Sequence, residues 1–204
     1  MAAKLLFDVS SVAPLLAVTL AAILILVLDL LRLYVPKMII AFFGFVTSIY
    51  FSMDYSSSWH LFVSLDGLVA MDSLSLVFYA IICCASFLAM ALNDGQLRNQ
   101  GVKATRDVDV LLLFSTVGAM AMVSAANFVI LFLGFELMSL SVYVLSGLAR
   151  KEKASAEAAL KYFILGSFSS AFLLYGIALI YGATGSLSIS AIGSVQSPGP
   201  LLYA

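Results

Sequence analysis

Residues Val110–Leu148 read VLLLFSTVGAMAMVSAANFVILFLGFELMSLSVYVLSGL, and Glu136 is the only charge among them. Drawn as one helix rising about 1.5 Å per residue, these 39 residues would reach nearly twice the ~30 Å hydrocarbon thickness of a bilayer. The run must therefore turn back on itself. Ala125-Ala126-Asn127 is the natural place, with Asn127 suited to cap the helix that follows. Two antiparallel helices are predicted, over Val110–Ala125 and Asn127–Leu148.

Four more apolar runs flank this pair, at Val12–Leu31, Met38–Phe51, Ser73–Leu92 and Ala156–Tyr181. The expected fold is an all-α polytopic membrane protein with about six transmembrane helices, in a single membrane domain over residues 1–204. Composition agrees: 63% of the 204 residues are hydrophobic and 10% are charged, whereas a soluble domain is about half apolar and a quarter charged. Ten Lys+Arg nearly cancel eleven Asp+Glu, which leaves no basic field for nucleic acid. The run from Val12 is too long for a signal-peptide core, and no small-residue cleavage site follows it. Ser155 is placed to cap the sixth helix.

The positive charges alternate between loops. Arg32 and Lys37, then Arg98, Lys103 and Arg106, then Arg150, Lys151 and Lys153 fall in the first, third and fifth loops, with none in the second and fourth. Eight of ten thus share one side, which by the positive-inside rule puts both ends of the chain outside. The second loop carries Val63-Ser64-Leu65-Asp66-Gly67-Leu68-Val69-Ala70, where Asp-Gly between apolar residues signals a two-residue hairpin; an irregular loop resting on the helix ends is the alternative. Tyr50, Tyr55 and Trp59 fit an interfacial aromatic belt. His60, without a second ligand nearby, reads as a solvated loop residue, and the adjacent Cys83 and Cys84 read as packing residues rather than a disulfide or metal site.

Charges inside the apolar runs point to chemistry. Glu136 lies almost midway along the fifth helix, where a carboxylate costs at least ~2.5–3.5 kcal/mol and so requires protein, water or a partner around it. Burial penalises the charged form of a carboxyl, and a carboxyl near neutrality can both take up and release protons, as a relay requires. A structural hydrogen bond to a neighbouring helix is the bland alternative. Lys161 lies near the inner end of the sixth helix. There it can snorkel to the interface, with Glu157 one turn back in the favourable i,i+4 order, or take part in function. Glu136 leans outward and Lys161 inward, and their depths differ by on the order of 10 Å, so a direct ion pair is not expected. Asp29, with Arg32 at i+3, reads as an interfacial pair. Gly134, Ser139, Ser141 and Ser146, and Gly166, Ser167, Ser169, Ser170 and Ala171, suggest close helix packing.

The stretches Phe132-Leu133-Gly134-Phe135-Glu136-Leu137-Met138-Ser139-Leu140-Ser141-Val142-Tyr143-Val144-Leu145-Ser146-Gly147 and Ser155-Ala156-Glu157-Ala158-Ala159-Leu160-Lys161-Tyr162-Phe163-Ile164-Leu165-Gly166 resemble subunit N of NADH-quinone oxidoreductase, the bacterial form of respiratory complex I. The glutamate stretch alone is shared with other antiporter-like subunits. The resemblance runs along essentially the whole chain and covers the N-terminal part of the family. It implies a membrane-arm subunit that helps translocate protons, driven by electron transfer from NADH to quinone elsewhere in the complex. Glu136 then matches the family's helix-five glutamate, and Lys161 a family lysine on helix six.

The same resemblance implies that NADH, flavin, iron–sulfur clusters and quinone belong to partner subunits, with no cofactor or metal in this chain. The partners are other membrane-arm subunits and the bilayer, in a bacterial inner membrane or an organellar one. The family carries further lysines on later helices, so the chain is expected to be truncated before its seventh helix. Two other functions are open: a subunit of a multi-subunit cation/proton antiporter, and a structural anchor whose buried charges merely hold helices together.

Overall fold

A computed structural model describes residues 12–31, 33, 37–56, 62–64, 67–99, 105–148 and 153–192. Six long helices follow one another: α1 (Ala13–Leu30), α2 (Lys37–Ser56), α3 (Ser73–Asn99), α4 (Thr105–Val123), α5 (Phe128–Ser146) and α6 (Lys153–Thr184). Strands β1 (Phe62–Ser64) and β2 (Val69–Met71) lie between α2 and α3, and a single turn, α7 (Ile189–Ile192), ends the described chain. Four of the long helices, α1, α3, α5 and α6, are long and apolar enough to cross a membrane. In α2 the apolar part is the shorter Lys37–Met53, and α4 opens with Arg106, Asp107 and Asp109. The second and fourth apolar runs were short for that reason: polar residues continue the helix past the stretch that hydropathy marks.

The helices bury one stripe and leave the rest apolar. In α1, Val18, Ala21, Ala22 and Ile25 are buried at i, i+3, i+4 and i+7, while Leu20, Ile23, Leu24 and Val27 are exposed. Apolar residues outside as well as inside mark a lipid-facing bundle, because water does not tolerate so large an apolar surface. Pro14 sits in the first turn of α1, where its missing N–H breaks no helical bond. The core joins Val18, Ala22 and Ile25 to Ala41 and Phe45 of α2, Tyr79, Cys83 and Met90 of α3, and Leu113, Val117 and Met120 of α4. Hydroxyls cross-link α3 and α4: Tyr79 Oη donates to Ser124 Oγ at 2.9 Å, and Thr116 Oγ1 to Ser86 Oγ at 2.6 Å.

Backbone touches backbone where α4 meets α5. A Cβ on Gly118 would lie 2.5 Å from Met138 N and 2.6 Å from Gly134 O, and one on Gly134 would lie 2.8 Å from Gly118 O. Small residues permit this approach, and dispersion contacts between close backbones replace the hydrophobic force that lipid cannot supply.

One end of the bundle is closed by a small sheet. A hairpin forms, though not with the two-residue turn read from Asp-Gly: Phe62 lies opposite Met71, Val63 opposite Ala70 and Ser64 opposite Val69, and the closing loop is longer. Four residues separate the last pair, and Gly67 takes φ +91°, a conformation that costs glycine little. Beyond β2 the ladder continues through the α4–α5 turn: Ala70 N donates to Ser124 O at 2.8 Å, and Ala126 N to Leu68 O at 3.0 Å. The far side of the same turn pairs with the chain after α6, where Phe128 N donates to Leu187 O at 2.9 Å and Ile189 N to Ala126 O at 3.0 Å. The supposed tight turn Ala125-Ala126-Asn127 is thus an extended segment between two neighbours. It also fixes the up–down order, since the ends of α4 and α6 and the starts of α3 and α5 all meet there.

At the opposite end, Lys37 Nζ and Asp29 Oδ2 pair at 2.5 Å with both side chains mostly buried. Asp29 was read as the partner of Arg32, which lies outside the described residues. The chain reverses after α1, and that brings Lys37 of the next helix back to the carboxylate. Tyr55 and His60 carry no described side chain, Trp59 lies outside the described residues, and Tyr50 is exposed as a belt residue would be. Cys83 is buried, Cys84 is exposed, and both are free thiols.

Two consequences can be measured. Gly118→Ala forces a methyl into the α5 backbone, and overpacking of this kind costs ~1–3 kcal/mol or more; the thermal midpoint of the purified protein in detergent should fall clearly. Gly176→Ala, with no atom within 4 Å of its Cβ, should leave the midpoint unmoved. The second concerns the carboxylate of Asp72, which heads α3 before its apolar span and accepts hydrogen bonds from Ser75 Oγ at 2.6 Å and Ser75 N at 2.7 Å. The Ser75 hydroxyl, chiefly, holds its pKa below the usual 3.8, against a smaller opposing effect of burial. A depressed folded-state pKa means this stabilisation is complete above the unfolded value and is lost as pH falls through the folded one. Asp72→Ala should remove about 1 kcal/mol at neutral pH and flatten the acid limb of the stability–pH curve.

Candidate functional site

α5 has two working sides. Gly134 and Met138 lie against α4. Nearly opposite them, Glu136, Tyr143 and Gly147 fall within about 20° of one line on a 3.6-residue helix. Tyr143 and Gly147 meet α6: a Cβ on Gly166 would lie 1.8 Å from Tyr143 Oη, and one on Gly147 would lie 3.0 Å from Ala159 Cβ. Glu136 is therefore on the α6 side of α5. Asn127 caps the helix as expected, its side-chain oxygen accepting Val129 N at 2.8 Å.

The Gly147–Ala159 contact sets the register of the antiparallel pair. Eleven residues from each member lie Glu136 and Ser170, and eleven residues are close to three whole turns. Both residues return to the facing stripe at the same level. Ser170 is one of two buried residues on α6 in its 32-residue length, the other being Ile177. Ser139 is also buried, one turn from Glu136. Glu136 itself is half-buried, and its Oε1 is sealed from solvent with no hydrogen-bond partner among the described residues. A buried acceptor without a partner costs ~1–3 kcal/mol, and more when charged, so the position is one that packing imposes on the carboxyl.

Lys161 faces away. Two residues from Ala159, it is turned about 200° from the α5-facing stripe. Its Nζ pairs with Glu157 Oε1 at 2.5 Å, with both side chains about two-thirds exposed. The Glu157 pairing matches the sequence reading, and the structure does not bring Lys161 and Glu136 together. Lys161 lies near the level of Gly147, about 15 Å along the bundle from Glu136 by rise per residue. Ser155 is not the cap of α6, which begins earlier, at Lys153; its hydroxyl donates instead to Ser146 O at 2.8 Å. That bond ties the end of α5 to the start of α6.

Sequence reasoning missed Tyr143 and Asp72. Gly166 was read as a packing residue, but its pairing with Tyr143 carried no signal, since nothing along the chain shows which glycine faces which ring. Asp72 had one, an Asp ahead of Ser73 at a helix start. Among the described residues no group of three His, Cys, Asp or Glu side chains gathers as a metal site.

An up–down helical bundle that is apolar outside as well as inside, with a half-buried acid on one of its helices, defines an all-α polytopic membrane protein. Comparison with known proteins narrows this. The family described as NADH:quinone oxidoreductase/Mrp antiporter, TM, matches residues 125–201, which include both α5 and α6. Subunit N of NADH-quinone oxidoreductase from Granulibacter bethesdensis is 46% identical over 127 residues, 62% of this chain and 26% of that protein. Subunit N 1 from Symbiobacterium thermophilum is 38% identical over 196 residues, 89% of this chain and 37% of that protein. Among solved structures, respiratory complex I from Thermus thermophilus matches with a TM-score of 0.72 at 26% identity, over 93% of this chain and 40% of that one. An archaeal respiratory membrane complex, the membrane-bound sulfane sulfur reductase, matches with a TM-score of 0.76 at 22% identity, and bears on the fold alone. The chain is homologous to part of subunit N of NADH-quinone oxidoreductase, and spans about a quarter to two-fifths of the length of these relatives.

The exposed Glu157–Lys161 pair permits a clean separation of roles. Surface i,i+4 pairs contribute ~0.3–0.5 kcal/mol. Glu157→Gln should therefore shift the unfolding midpoint hardly at all, and a large shift would show that the pair holds the bundle together.

Proposed function

We propose that this chain is part of a membrane-arm subunit of a proton-pumping NADH-quinone oxidoreductase, and that Glu136 and Lys161 exchange or steer protons there. The observation that carries the reading is Glu136 Oε1, buried without a hydrogen-bond partner among the described residues on the side of α5 that turns toward α6, in a chain homologous to subunit N. Six spans, with the hairpin end outside, follow from the loop charges: Lys37 and Lys153 head α2 and α6 at the opposite end. The protein then sits in a bacterial inner membrane among other membrane-arm subunits, and the flavin, the iron–sulfur clusters and the NADH and quinone sites belong to partner subunits. Its own contribution is charge-coupled proton transfer without redox chemistry. One elementary charge across 100 mV corresponds to ~2.3 kcal/mol, the free energy of one or two pKa units, so modest changes of environment at Glu136 are enough to drive uptake and release.

The test is proton pumping by the assembled complex with the complete subunit. Glu136→Gln should slow pumping on the order of tenfold or more, the scale of a lost acid–base group, with Lys161→Met giving a smaller loss. Normal pumping with both changes removes these residues from the mechanism. A lower yield of complex with full activity per assembled complex would mark them as structural anchors. The matched family also covers Mrp antiporters, which favours a cation/proton antiporter subunit as the second reading. Companions that co-purify with flavin and iron–sulfur clusters support the respiratory complex; companions without redox centres support the antiporter.

A further inference from the structure

We infer that the Tyr143 hydroxyl is the first proton-carrying group on the way from Glu136 toward the end of the bundle where α5 joins α6. This rests on the reading of Glu136 as a proton-exchanging group. Tyr143 lies seven residues from Glu136 on the same α6-facing line, and it is buried. Its ring stands against Tyr162 at 5.0 Å and Phe163 at 5.9 Å, both edge-on. Its hydroxyl reaches the backbone of α6 at Gly166, where any Cβ would meet it at 1.8 Å. Glycine there is what lets the oxygen lie between the helices.

The register makes the spacing meaningful. Gly166 is four residues before Ser170, and Ser170 is level with Glu136. The phenol oxygen therefore lies about 6 Å along the bundle from the level of the Glu136 backbone, with the buried Ser139 and Ser170 beside that interval. The carboxyl leans away from the phenol, so the interval is one for bridging water, held by the polar groups beside it. The aromatic walls leave the hydroxyl as the polar route through this part of the seam. Transfer is by relay: the Glu136 carboxyl gives a proton to bridging water, that water gives one to the phenol oxygen, and the phenol's own proton passes to a further water toward the end of the bundle where α5 joins α6, which leaves Glu136 as the carboxylate. No net charge stays on the tyrosine.

Tyr143→Phe removes one oxygen and keeps the ring that packs against Gly166. In the assembled complex with the complete subunit, pumping should slow about tenfold and its solvent deuterium isotope effect should rise, with the yield of complex unchanged. Unaltered pumping and isotope effect would overturn the inference, and so would loss of assembled complex, which would make the hydroxyl a packing group. Glu136→Gln measured in parallel separates the two claims. If it abolishes pumping while Tyr143→Phe is silent, only the tyrosine step fails; if Glu136→Gln is itself silent, the reading of the whole site fails.

Discussion

The contact of Gly118 with Gly134 governs where everything else on α5 can go. Lipid tails are as apolar as leucine, so two membrane helices gain little by hiding apolar side chains from their surroundings. Close backbone approach is what remains, and at these glycines it leaves no room for even a methyl group. Once Gly134 and Met138 are fixed against α4, the helical period turns Glu136, Tyr143 and Gly147 to the other side, toward α6. Glu136 Oε1 is buried because the helix carrying it is clamped two residues away. A cost of a few kcal/mol for a buried acid is borne by contacts that the acid does not make.

The sheet at the hairpin end does the same for the ends of the helices. An extended segment at a helix–helix turn leaves peptide groups that nothing within one helix can satisfy, and each one buried unpaired is costly. Here Ala126 donates to Leu68 and accepts from Ile189, so one residue joins the hairpin, the α4–α5 turn and the chain after α6. Asn127 caps α5 from within that segment. The depth of α5, and with it the height of Glu136 in the bundle, is set at this end by backbone hydrogen bonds and along its length by the glycine crossing.

Much of this was legible in the residues, and the limits have physical causes. Six apolar runs, the Asp-Gly hairpin, the Asn127 cap and the isolated charge at Glu136 are local signals, and each reappears in the structure. Helix ends were read short at Met38–Phe51 and Val110–Ala125 because hydropathy reports what lipid tolerates. Backbone hydrogen bonding continues through Arg106, Asp107 and Asp109. Ser155 was read as a cap for the same reason, since the helix had already begun at Lys153. The pairing of Asp29 with Lys37, the docking of β2 on Ser124 and the seating of Tyr143 against Gly166 depend on which helix lies beside which. A single sequence does not contain that information in periodic form.

The separation of Glu136 from Lys161 constrains how they can act together. They lie about 15 Å apart along the bundle, on opposite sides of α6. At an effective dielectric of about 20, unit charges at that distance interact by ~1 kcal/mol, somewhat less than one pKa unit and about half of what one charge gains across 100 mV. An interaction of that size is far weaker than that of a direct ion pair, and the polar groups that the α5–α6 seam offers in that interval are hydroxyls. A chain with its two charges in contact would hold them as a fixed pair; here Lys161 is held instead by Glu157 one turn back, and Glu136 keeps surroundings of its own.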